Sequence, residues 1–193
     1  MYWQEDEAET REALADDVVD VLFSIDCRSI AVDHLQALSS ALTAVAPWLE
    51  APDCGIHSIH VAGSQNGWER PAHGSDQQLH LSRRTKLCIR VPKARVTALS
   101  ESLQGRQLDR NGTRLGIGEP KIKRLSREPT LFARYVAGPE GDDEARFLHW
   151  AADELTKLDI RIRKALCGKR TSILTDQGPL ETRSLMLADL KPD

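Results

Sequence analysis

Two successive runs of strand and helix in the same order predict an α+β chain of tandem ferredoxin-like (RRM-like) domains with antiparallel sheets. Three observations carry this reading. Residues 18–118 follow the order strand, helix, strand, strand, helix, strand, which is two crossovers on one sheet. The same order restarts at residue 130, and residues 79–91 alternate with a period of two, as a half-buried strand does. The expected division is an acidic leader over 1–17, a first domain over 18–118 and a second over 119–193.

Each element has a local reason. Residues 18–25, Val-Val-Asp-Val-Leu-Phe-Ser-Ile, are β-branched and alternating, hence a strand. Over 33–48, Leu35, Leu38, Leu42 and Val45 recur at helical spacing, Asp33 suits the first turn, and Pro52 lies beyond the end. Residues 56–61 read as a short strand, followed by the turn-forming Gly63-Ser-Gln-Asn-Gly67. The strand over 79–91 then places Leu79, Leu81, Leu87, Ile89 and Val91 on a buried face, with Arg84, Lys86, Cys88 and Arg90 on an open one. After Pro92, Val96, Leu99 and Leu103 form a second helical stripe that Gly105 can end in the left-handed conformation. Residues 107–117 read as a hairpin turning at Asn111-Gly112.

In the second unit, 130–137 is a strand, and 142–158 is a helix with Ala145, Leu148, Ala152 and Leu155 on one face. Residues 160–166 form another strand, and 171–187 a hairpin around Asp176-Gln-Gly178. The unit stops before the second helix and closing strand of a full repeat, so apolar sheet surface is expected to be bare there.

Composition narrows the class. The chain has 193 residues, 40% hydrophobic and 28% charged, an ordinary balance for a water-soluble globular protein. No segment approaches the roughly 20 apolar residues of a membrane span, and the start Met1-Tyr-Trp-Gln-Glu-Asp-Glu7 is acidic where a signal peptide is basic, so a cytoplasmic protein is expected. Cys27, Cys54, Cys88 and Cys167 form no CxxC pair, which argues against a zinc knuckle or a disulfide framework. The net charge of -3 conceals an asymmetry along the chain. Residues 1–26 hold nine acids and one Arg, whereas 79–134 hold fourteen Lys or Arg and four acids. A basic sheet face suits a polyanion, and nucleic acid is the commonest one.

Several residues could carry chemistry. His57 and His60 form an HxxH, but side chains three apart on a strand point to opposite faces, so no metal site is expected. Either histidine could serve alone as a general acid or base, since imidazole titrates near neutrality. Arg83, Arg84, Lys86 and Arg90 could hold a phosphate or a charged phosphoryl oxygen. Arg161, Arg163 and Lys164, with Lys169 and Arg170, form a second basic cluster in the corresponding part of the second unit. Two such regions would line a groove for an elongated polyanion. Trp68, beside a glycine-rich loop, could stack on a base.

Gly55-Ile56-His57, the loop Val61-Ala-Gly-Ser-Gln-Asn-Gly-Trp-Glu-Arg-Pro71, the strand Leu81-Ser-Arg-Arg-Thr-Lys-Leu-Cys-Ile-Arg-Val-Pro92 and Leu185-Met-Leu-Ala-Asp-Leu190 resemble the CRISPR-associated repeat-processing endoribonucleases. Within that repeat-associated (RAMP) superfamily the likeness is to the Myxan-type type I subgroup, and it runs from about Val18 onward. The resemblance implies two ferredoxin-like domains and cofactor-free, metal-independent cleavage of CRISPR precursor RNA within its repeats, giving guide RNAs for antiviral defence. It also implies a place beside other subunits of a type I effector complex. By the same resemblance the catalytic histidine falls on His57, with His60 and His34 as further candidates, and Arg84 and Lys86 fall on the family's basic strand. The family's glycine-rich loop and final strand have no counterpart before Asp193. Two other readings stand beside this one: a catalytically silent RNA-binding subunit, and a ferredoxin-like regulatory or association module.

Overall fold

In the computed structural model, residues 17–60, 77–110, 113–126, 128–139, 143–160 and 162–190 are described. The first unit is a sheet of five strands in the order β3-β5-β1-β7-β6, all pairs antiparallel. Its strands are β1 (Val18–Asp26), β3 (Gly55–Ile56), β5 (Lys86–Pro92), β6 (Gln107–Arg110) and β7 (Thr113–Lys123). Counting β6–β7 as one closing hairpin, the order is that of a ferredoxin-like sheet. The hairpin reaches past the end of β1, since Gly116 already pairs with Asp26 while Arg110 pairs with Thr113 further out. Its inner strand, β7, runs on to Lys123, so the first sheet extends beyond residue 118.

Burial follows the alternation. Val19, Val21 and Phe23 of β1 and Leu87, Ile89 and Val91 of β5 face α1 (Leu35–Val45) and α2 (Val96–Leu103), which contribute Leu38, Leu42, Leu99 and Leu103 to one core. The other sheet face is left open. Gly105 ends α2 at φ +78°, the left-handed conformation its sequence position suggests, and its N–H donates to Ile117 O at 2.8 Å.

Four expectations change. The strand over 79–91 is broken: β4 (Gln78–His80) pairs with β2 (Ser29–Ala31) in a separate two-stranded sheet, and β5 begins only at Lys86. Between them Ser82 and Thr85 close a turn, with Thr85 N–H donating to Ser82 O at 3.0 Å and Ser82 N–H to Thr85 Oγ1 at 3.2 Å. Hydroxyl side chains competing for backbone bonds interrupt the ladder there. The helix over 33–48 is shorter, with Pro47 opening a separate 3-10 turn, Pro47–Glu50. Strand β3 stops at Ile56, because Ile59 turns into the core and its N–H donates to His34 rather than to a sheet neighbour. Lastly, the strand over 160–166 and the first arm of the following hairpin are one strand, β9 (Lys164–Thr175).

The second unit repeats β1, α1, β3 and β5 of the first. β8 (Leu131–Ala137), α3 (Glu144–Lys157), β9 and β10 (Gly178–Ala188) give the order β8-β10-β9, as the first unit gives β1-β5-β3. Asp143 caps α3 by accepting from the N–H groups of Ala145 and Arg146, and Gly178 takes φ +107° in the β9–β10 turn. Phe147 and Ala151 of α3 bury against Leu185 of β10, with Cys167 and Ala165 of β9 on the same side. The units meet where Gln36 of α1 donates to Asp176 Oδ2 at 2.7 Å.

Candidate nucleic-acid interface and active site

The open face of the first sheet brings together side chains far apart in sequence. Its register pairs Asp20 with Arg90 on one side and with Lys123 on the other, and Leu22 with Cys88 and Lys121. Directly opposed residues share a face, so Asp20, Arg90, Cys88, Lys121 and Lys123 all lie opposite the helices. His57 continues β3 by one backbone bond, its N–H donating to Cys88 O at 3.0 Å. The imidazole joins this face with Nε2 3.8 Å from Asp20 Oδ1.

Asp20 organises the site. Arg90 donates to both its oxygens, Nε to Oδ1 at 2.9 Å and Nη2 to Oδ2 at 3.2 Å, a fork that fixes the guanidinium plane. The Asp20 side chain is 11% exposed, against 42% for His57. Burial lowers the His57 pKa below the usual histidine range; the Asp20 charge opposes this, and the Arg90 and Lys123 charges add to it. A half-exposed imidazole held neutral at neutral pH is a competent proton acceptor.

The other two candidate histidines differ. His34 is buried, with its Nδ1 2.9 Å from Ala31 O and its Nε2 accepting from Ile59 N–H at 3.0 Å, so it is the Nδ1–H tautomer and braces residues 57–60 against α1. His60 Nε2 lies 2.8 Å from Ser58 Oγ. Its pKa is pushed down to about 4, first by burial and then by the charges of Arg134, His34 and His57. Arg134 stands on β8, so the second unit reaches this site.

The ligand-capable atoms of Asp20, His57 and Cys88 lie within 4.8 Å of one another. Arg90 already forks the carboxylate, burial pushes the Cys88 thiol up to about 11, and Lys123 adds positive charge. A metal ligand must be deprotonated and a cation must not be repelled, so the charges around this trio favour an anion.

The sequence candidates fall into groups. His57, Arg90 and Lys86 share the open face, Lys86 being the exposed first residue of β5 opposite Ser24. His60 lies beside that face through its electrostatic contact with His57. Arg83 and Arg84 do not stand on the strand; they occupy the exposed turn before it. Arg163 and Lys164 are exposed at the start of β9 in the second unit, where Arg170 is paired with Glu181 at 3.1 Å. Trp68 and Arg161 lie outside the described residues, as does the loop over 61–71. Asp20, Lys121, Lys123 and Arg134 went unrecognised in the sequence. The inward positions 19, 21 and 23 place Asp20 on the open face, but only the strand register joins it to Arg90. Among the described residues no helix is long and apolar enough to cross a membrane.

Strand order and site together define a tandem ferredoxin-like protein with a basic, histidine-bearing sheet face. The family model described as Cas6 Crispr matches residues 19–193. The CRISPR-associated endonuclease Cas6 of Myxococcus xanthus (strain DK1622) is 32% identical over 144 residues, which are 74% of this chain and 57% of that protein. The chain thus spans little more than half the length of this curated relative. A solved structure described as CRISPR associated protein Cas6 superposes with a TM-score of 0.61 at 8% identity, covering 88% of this chain and 87% of that one. Another, titled as the characterization of a Cas6-related gene from Pyrococcus furiosus, gives 0.52 at 9% identity, covering 89% and 87%. At such identities the structures show a shared fold, and with the family match this chain belongs to the Cas6 family.

Proposed function

We propose that this chain cleaves CRISPR precursor RNA within its repeats, without a metal ion, by attack of a ribose 2′-hydroxyl on the adjacent phosphorus. The observation that carries the reading is the neutral, half-exposed His57 set among cations on an open sheet face of a Cas6-family chain. His57 takes the 2′-hydroxyl proton as the new O–P bond forms. The bond from phosphorus to the 5′-oxygen breaks, leaving a cyclic phosphate on one product and a 5′-hydroxyl on the other. Charge accumulates on the phosphoryl oxygens, and Lys121 and Lys123 supply positive charge on the same face, beside an Arg90 whose guanidinium Asp20 holds in place. Asp20 holds Arg90 in place and stabilises the imidazolium that His57 becomes. Lys86, on the same face, supports the leaving group by charge and proton donation. Repeat RNA is the partner, the other subunits of a type I effector complex would be met through it, and the cytoplasm is where both would be found.

The test is to incubate the chain with its repeat RNA in EDTA and read the product ends by mass spectrometry. Expected is cleavage with a cyclic phosphate, and a loss of about 10²–10⁴-fold in rate for His57→Ala at nearly unchanged RNA affinity. Binding without cleavage would instead make this a silent repeat-binding subunit. Full-rate cleavage by His57→Ala would move the base elsewhere.

A further inference from the structure

The second sheet also has an open face, and it carries an aromatic ring. Phe132 of β8 pairs with Met186 of β10, which pairs with Leu166 of β9, so the three side chains form one row across the strands. Their neighbours Leu185, Ala165 and Cys167 pack towards α3, so this row points away from the helix. Phe132 is 57% exposed, a large apolar area to leave in water. The guanidinium carbon of Arg134 stands 5.5 Å from the centre of its ring. Lys164, two residues before Leu166 on β9, falls on the same face by alternation.

We propose that Phe132, with Arg134 over its ring, is a stacking platform for an unpaired base of the bound RNA. The inference rests on the RNA-binding reading above and adds a contact to the base itself, which the phosphate-facing cations of the first sheet do not make. An aromatic ring among cations matches a nucleotide's two chemistries, a flat π-surface and a negative phosphate. Placement supports the same occupant: Arg134 also bears electrostatically on His60, so the platform adjoins the histidine-bearing segment of the first unit. An RNA strand leaving the cleavage site towards the second unit meets Phe132. A protein partner would be expected to cover the apolar row without regard to base or sugar.

The experiment compares the whole chain with Phe132→Leu and Phe132→Trp, using a single-stranded oligoribonucleotide that carries 5-iodouridine. Affinity is measured by fluorescence anisotropy over a range of salt, and photo-crosslinks are mapped by mass spectrometry. Leu at an exposed strand position keeps the apolar character and the fold, so a change reports the ring itself. Expected is a loss of roughly 5- to 100-fold in affinity for Phe132→Leu, with an unchanged salt slope because no cation is removed. Phe132→Trp should bind at least as tightly as the parent, and the parent crosslink should map to Phe132. Tight parent binding, with both variants equal to it and no crosslink at Phe132, would overturn the platform and leave the RNA reading intact. A parent chain that binds no RNA would overturn both.

Discussion

Removing the His60 imidazole should flatten the acid side of the protein's stability profile. In the folded chain this group titrates at about 4, against an ordinary value of about 6.5 in an unfolded one. Above about pH 6.5 it is neutral in both states and costs nothing. As the pH falls further, the unfolded chain takes up a proton that the folded chain refuses, so stability is lost progressively down to about pH 4 and no further. The gap corresponds to about 3 kcal/mol, and because the ring is only half-buried, screening leaves on the order of 1–2 kcal/mol. The assay is urea unfolding of the parent and His60→Gln at steps between about pH 7 and pH 4. Gln keeps a polar partner for Ser58, so the variant's curve should run flatter by that amount within this window. Carboxylates titrating over the same range are common to both proteins and cancel in the difference. Arg134→Gln should flatten the curve less, because burial outweighs its charge among the causes. Parallel curves for parent and His60→Gln would refute the reasoning.

The pH dependence of cleavage should respond to the two partners on the sheet face in opposite directions. The Asp20 charge raises the His57 pKa, so Asp20→Asn should move the acid limb of the rate profile to lower pH, whereas Arg90 lowers it and Arg90→Gln should move the limb up. Limbs shifting in the same direction, or not at all, would show that His57 is not the titrating base. Replacing Lys121 and Lys123 together by Ala should weaken binding of all RNA sequences alike. The log-affinity against log-salt slope should flatten by about 0.7 for each phosphate that is no longer neutralised, as read by anisotropy.

How much of this the sequence discloses depends on the range of the forces involved. Helices α1, α2 and α3 and strand β1 show because one apolar stripe each fixes their period, and β10 because the Asp176-Gln-Gly178 turn marks the hairpin it closes. The break before β5 does not show, for a specific reason. Thr85 is buried along with Leu79, Leu87, Ile89 and Val91, so the odd-numbered series resumes after the turn and only the exposed Arg83 departs from it. Arg83 on the apolar side is the one departure in the pattern; the Ser82–Thr85 hydrogen bonds that make the turn cannot be foreseen, because hydroxyls in an alternating run give no warning of which backbone group they will choose. The site is half-visible for a related reason. His57 and Arg90 announce themselves by residue type, but Asp20 lies 70 residues before Arg90, and only sheet register joins them.

That register gives the face its resting charge. With Asp20 forked by Arg90, one cation is largely neutralised, and the free charge that attracts a phosphate rests chiefly on Lys86, Lys121 and Lys123. His57 meanwhile loses its proton first to burial and only then to neighbouring cations. A phosphate settling among those lysines would offset the Lys123 charge, one of the smaller causes that lower the His57 pKa, and add negative charge of its own. If His57 is the base proposed above, both changes raise the affinity of its imidazole for the proton of the 2′-hydroxyl. On the same proposal Asp20, 3.8 Å from the ring, is placed to balance the imidazolium that would result.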